Sequence, residues 1–160
     1  MSVTDRDLGF RALMRRFADA NVSAVTVGVH SDEGEDAAEG GGDLTVLDVV
    51  TFHEFGTKSE EGEEIIPERS FIRAGVDQNE KAIKSLLKNV TRAVISNRKR
   101  MSPRRALEIV GADITRKIQG RIRDGIAPPL AAATLARKGG KTTPLIDTGQ
   151  LIQSITFQVR

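Results

Sequence analysis

His53 and Glu54 are the residues whose types and order come nearest to a known chemistry. A His-Glu pair opens the helical motif in which two histidines hold zinc and the glutamate serves as general base. That motif needs a second histidine four positions on, and this chain has Thr57 there. The other histidine, His30, falls at the end of an expected strand. The chain has no cysteine, so a zinc site would have to be completed by carboxylates and by a partner chain. Serine, histidine and aspartate all occur, but no serine sits in a nucleophile-elbow pattern on a sharp strand-to-helix turn. Gly40-Gly41-Gly42 lacks the lysine and helix that a phosphate-binding loop requires. The expectation is no catalytic residue, no metal, no cofactor and no enzymatic activity.

A second group could bind phosphate. Arg98-Lys99-Arg100 and Arg104-Arg105 crowd the junction between two expected helices. Such clusters attract phosphate through charge and through free N–H groups at a helix start. No aromatic side chain interleaves them to stack on bases. Sequence-independent DNA contact through residues 98–123 is one reading. A solvated face or a salt-bridged subunit contact is the other.

These residues must be positioned by one domain. The chain has 160 residues, of which 39% are hydrophobic, enough for one ordinary core. With six phenylalanines and neither Trp nor Tyr, that core must be mostly aliphatic. No apolar run reaches membrane-spanning length and no signal-peptide core opens the chain, so a soluble protein made in a cytoplasm is expected. Charge is divided unevenly. Residues 1–80 hold 18 acidic and 7 basic side chains, and residues 81–160 hold 4 acidic and 17 basic. The halves could neutralise each other within a monomer, contact nucleic acid, or join acidic to basic sides in a head-to-tail assembly.

Helical spacing of Phe10, Leu13, Met14 and Phe17 predicts a first helix, capped by Thr4 and ending near Asn21. Val25, Val27 and Val29 alternate with small residues, which predicts a strand over Val22–Val29. Residues 31–43, with six acids and four glycines, predict a mobile loop, as do residues 57–64. Leu44–Phe55 reads as a helix with Asp43 as cap and Gly56 as breaker. Ile83, Leu86, Leu87, Val90 and Val94 mark a helix over about 77–96. Ser102-Pro103 opens another to about 124, with Leu107, Val110, Ile114, Ile118 and Ile122 buried. Thr134–Lys138 reads as one helical turn. Asp147, Thr148 and Gly149 suit a turn or a short helix start. Ile155, Phe157 and Val159 alternate with polar residues, so Ile152–Val159 should be a strand paired within a sheet. The fold expected is α+β: a small, mainly antiparallel sheet against two long helices plus an N-terminal helix.

Three segments, taken in order, resemble one family. His53-Glu54-Phe55-Gly56-Thr57 is followed by Ile66-Pro67-Glu68-Arg69-Ser70-Phe71-Ile72-Arg73. Pro128-Pro129-Leu130 then precedes Pro144-Leu145-Ile146-Asp147-Thr148-Gly149-Gln150-Leu151, with Ser154-Ile155 behind. The set resembles the tail-completion family of tailed bacteriophages, also called minor tail protein Z-like or virion morphogenesis proteins. It spans residues 46–159. The family's usual Pro-Ala-Arg-Pro-Phe stands here as Pro67-Glu68-Arg69-Ser70-Phe71.

The resemblance implies a structural virion protein of the neck, forming a ring, expected to be a hexamer. Its partners would be copies of itself, head-connector or adaptor proteins, and tail-terminator or tail-tube proteins, with transient contact to genomic DNA in the lumen and none to membrane. Within that frame Phe55 and Phe71 are expected to anchor loops to the core. Arg69 and Arg73 are expected to pair with carboxylates such as Glu54 or Asp147. A hydrolase using His53 and Glu54 is the third reading.

Overall fold

The structure, a computed structural model, describes residues 9–21, 24–30, 35–39, 42–96, 101–126 and 149–160. It is α+β, and helix α5 (Pro103–Arg123) is its axis. Ser102 caps α5 by accepting the Arg105 N–H at 3.1 Å, and Pro103 occupies the first turn, where its missing N–H costs nothing. At about 1.5 Å per residue its 21 residues span roughly 30 Å. Strands β1 (Val25–Gly28) and β4 (Thr156–Val159) pair antiparallel, Val25 opposite Val159 and Gly28 opposite Thr156, and this sheet lies on α5.

Helix α1 (Phe10–Asn21) and helix α4 (Glu80–Ile95) flank the first half of α5. Val90, Ala106 and Val110 form a buried cluster there. Helix α2 (Val46–Phe55) and the short helices α3 (Ile72–Asp77) and α6 (Gln150–Ser154) gather at the other half. Phe71, Ile118, Ile122 and Ile155 are almost fully buried there, with Val46 and Val50 of α2. Between α2 and α3 a hairpin of β2 (Thr57–Lys58) and β3 (Glu64–Ile66) projects.

Two glycines let these layers approach. A Cβ at Gly111 would meet the Phe157 ring at 2.6 Å and Val25 Cγ2 at 2.8 Å, so the sheet sits on α5 only because that position is bare. A Cβ on Gly75 would lie 3.0 Å from the Ile118 Cα, which brings α3 against α5.

Several boundaries differ from the sequence expectations. The closing strand starts at Thr156, because residues 150–154 coil into α6 after Gly149 turns the chain at φ 94°. The helix expected over about 77–96 is α4, which starts at Glu80; the short α3 before it was not expected, and α4 packs on α5 while the sheet rests on α5. Thr45, not Asp43, caps α2: its hydroxyl accepts the Asp48 N–H at 3.2 Å, and the Asp48 carboxylate accepts the Thr45 N–H at 2.9 Å. Those Thr45 hydrogen bonds hold the Asp48 carboxyl below its ordinary value. The stretch expected as a loop at 57–64 is a hairpin, its turn closed by Ser59 N–H to the Glu63 carbonyl at 2.8 Å. Within the acidic 31–43 stretch, Ala37 bridges to Thr45 and the Glu39 N–H donates to Gln150 at 2.8 Å. Thr4, the Phe17 side chain and the turn at Thr134–Lys138 lie outside the described residues.

Candidate functional site

The two best-described motif segments form one corner. Helix α2 ends at Phe55 and leaves carbonyls without helical partners. One of them, His53 O, accepts the Arg69 N–H at 2.7 Å. Helix α3 begins just beyond and leaves N–H groups without partners. The Glu54 carboxylate answers them: one oxygen accepts Phe71 N–H at 2.8 Å and Ile72 N–H at 3.0 Å, the other Ser70 O–H at 2.7 Å and Arg73 N–H at 3.0 Å. A negative group here also meets the positive end of the α3 dipole. Four donors use the acceptor capacity of both oxygens. Glu54, only 6% exposed, is therefore a structural cap for the next helix.

Gly56 makes the latch possible. Its φ is 71°, and a Cβ would fall 2.9 Å from the Ile66 carbonyl and 3.0 Å from the Glu68 nitrogen. The chain on either side of the hairpin passes too close for any side chain. Thr57 pairs with Ile66 at the base of that hairpin, and Pro67 carries the chain away from it. Phe71 sits at the bottom of the corner with no solvent exposure, as expected of an anchor.

Two expectations are corrected here. Glu54 does not take Arg69 or Arg73 as an ion partner; backbone N–H groups and Ser70 claim its oxygens, the Arg73 guanidinium pairs with Glu68 at the surface, and Asp147, the other carboxylate expected, lies outside the described residues. Arg69 is buried, and that desolvation lowers its pKa against the opposing pull of Glu64. Phe55 does not anchor a loop to the core. It is 68% exposed, because the residues of α2 that turn inward are Val46, Val50 and Glu54.

His30 lies far from this chemistry in kind. Its ring nitrogens meet Thr26 Oγ1 at 2.9 Å and Thr156 Oγ1 at 3.0 Å, stitching the end of β1 to β4. Among the described residues, no group of three or more His, Cys, Asp or Glu converges to hold a metal ion. Leu151 and Ser154 are buried in α6, the Ser154 hydroxyl donating to the Leu151 carbonyl at 2.9 Å. Arg104 and Arg105 both pair with Glu108 on the exposed side of α5. Pro128, Pro129, Leu130, Leu145, Asp147, Thr148, Arg98, Lys99 and Arg100 lie outside the described residues.

Sequence reasoning missed a second region. Between α1, α4 and α5 runs an apolar groove of about 150 Å³, lined by Leu13, Leu87, Val94, Ile95, Pro103 and Leu107. Leu87 and Ile95 in its lining stay substantially exposed, and Phe10 and Met14 on α1 are exposed as well. The signal was present as an apolar stripe on α4 wider than one neighbouring helix covers. Among the described residues, no helix is long and apolar enough to cross a membrane. Comparison with family models, with curated proteins and with solved structures gave no match for this chain.

Proposed function

We propose that this chain is a non-enzymatic structural subunit of a phage neck, a tail-completion or head–tail joining protein. In this reading it acts in a ring, expected to be a hexamer, between head connector and tail tube. It is assembled in the host cytoplasm and carried in the virion. The ordered motif set over residues 46–159 is the basis of the resemblance. The observation that carries the reading is the Glu54 latch, since the two motif segments at 53–57 and 66–73 make a single hydrogen-bonded unit. Residues used this way serve shape, and shape is what a building block needs. The filled lone pairs of Glu54 weigh against the hydrolase reading, which requires that carboxylate to accept a proton.

The test is co-assembly with the connector and tail-tube proteins of the same particle, followed by electron microscopy. Ring density for this chain at the head–tail joint is expected. Failure to assemble with either partner in any condition would sink the proposal.

Sequence-independent DNA binding is the second reading. It is supported by the exposed Arg104, Arg105, Arg116 and Arg123 on α5 within 98–123, with Lys84, Lys88 and Arg92 also exposed on α4. Against it, Arg104 and Arg105 share Glu108, and Arg116 and Lys117 share Asp113. Duplex binding that weakens steeply with added salt would favour this reading; absent binding at low salt removes it.

A further inference from the structure

Two exposed apolar surfaces remain at opposite ends of α5, and they carry opposite charge. The first lies on α2 and the hairpin. Leu47 and Phe55 stand on the outward stripe of α2, and Ile65 on the outward side of β3 is 64% exposed. Helix α2 is apolar on nearly every side, the pattern of a helix covered all round, yet one side is bare. Its surroundings are acidic: Glu35, Asp36, Asp43, Glu60, Glu63 and Glu64 are all exposed, and Lys58 is the sole basic residue among the described residues from 35 to 68.

The second is the groove between α1, α4 and α5, with Leu87 and Ile95 exposed in its lining and Phe10 and Met14 exposed elsewhere on α1. Its surroundings are on balance basic: Arg11, Arg15, Lys88 and Arg92 are exposed, and Lys84 and Arg104 are exposed in pairs with Glu80 and Glu108. Residues 103–110 of α5 line this groove, whereas Ile118, Ile122 and Ile126 support the end where α2 sits.

We propose that the chain associates with copies of itself head to tail, the acidic apolar face of α2 and its hairpin on one copy seating on the basic apolar groove of the next. This deepens the ring reading above and takes its biological setting from it. Like faces cannot pair well, because each would bring its own charges together. Unlike faces bring acidic rim to basic rim and cover apolar surface on both sides. Because the joined faces differ, every copy keeps one of each for a further neighbour. Such a contact closes into a ring if the rotation permits, and otherwise grows as a filament.

Sedimentation velocity of the purified chain, with Phe55→Lys and Leu87→Ser, tests this. Both side chains are exposed, so both variants should fold, and circular dichroism verifies it. The wild type should associate at low salt, and its association should weaken about tenfold as salt rises to roughly 0.5 M, where screening is strong. Each variant alone should associate at least about tenfold more weakly than wild type, the loss of one good contact. Mixed in equal amounts, the two should form a heterodimer and nothing larger, since each retains the face its partner lacks. A wild type that stays monomeric at about 0.5 mM, above the range of a weak interface, overturns the proposal. Variants that associate like wild type, or a mixture that stays monomeric, overturn it as well. These outcomes concern self-pairing alone. The neck reading fails separately, by an absence of assembly with connector and tail-tube proteins.

Discussion

The Glu54 corner and the α1–α4–α5 groove stand at opposite ends of one helix and are finished in opposite ways. At the corner every strong polar group of the latch has its partner within 2.7–3.0 Å, and Phe71 beneath it has no exposure. At the groove, aliphatic side chains line a cavity open to solvent, with Leu87 and Ile95 exposed in its lining. The corner is closed upon itself; the groove leaves apolar side chains uncovered. The difference separates two meanings of a motif. Residues 53–57 and 66–73 mostly hold the domain in shape, while the groove is lined by residues outside those two segments.

The comparison breaks most readily at Phe71. Phe71→Ala should lower unfolding free energy by about 3–5 kcal/mol, the usual cost of emptying a buried phenylalanine site. Urea titration reads it. A loss under about 1 kcal/mol would mean that the corner is not the closed core described here. Glu54→Gln comes next, with an expected loss of about 2–4 kcal/mol. The amide keeps one acceptor oxygen and turns an NH2 group toward N–H donors, so two donors lose their partner. The fold should survive with a lower midpoint. If Glu54→Gln were as stable as wild type, the four bonds would carry little and the latch would lose its meaning.

The legibility of the chain followed the range of the forces involved. Both ends of α5 were read within a residue, because Ser102-Pro103 and Gly125 are local signals acting on the backbone beside them. A strand within 22–29 and one ending at Val159, in one mainly antiparallel sheet, were likewise legible from alternation, though not that they pair directly. The start of β4 was not, since Ile152 and Ile155 fit a short helix and a strand alike until the rest of the fold decides which face is inward. The cap of α2 was missed at close range: Thr45 and Asp48 have capping-box spacing, but Asp43 also suited the role. Glycines 75 and 111 look like flaws in two helices, and only the approach of Ile118 and Phe157 explains them. At the site, Glu54 was singled out correctly and its use was not. Three of its four partners are backbone N–H groups 17, 18 and 19 residues away, and no side-chain pattern encodes those.

Asp113, midway along α5, tests whether charge contributes between the two ends. Burial raises its pKa, but hydrogen bonds and charge from Lys117 and Arg116 outweigh that and hold it below the ordinary value. A carboxyl depressed in the folded state adds stability above its unfolded pKa of about 3.9, and that contribution fades as pH falls through the folded value. Asp113→Asn should therefore cost about 0.5 kcal/mol near neutrality, a typical value for pairs on one helix. The difference from wild type should shrink as pH drops below about 4. A constant difference across that range would assign the loss to packing instead of charge.

The smallest expected effect is at Phe55, and it sharpens the contrast most. Phe55 and Phe71 both follow turn or cap residues of the same corner, and by type alone they are equivalent. The structure leaves Phe55 68% exposed, pointed away from the pocket that Phe71 fills. Phe55→Ala should change unfolding free energy by no more than about 0.5 kcal/mol, as at a surface site free of caps or ion pairs. Measured at low concentration, where self-association contributes nothing, the value isolates the folded monomer. A loss near 3 kcal/mol, about that of a buried ring, would return Phe55 to the core and remove it from the surface proposed for the next copy.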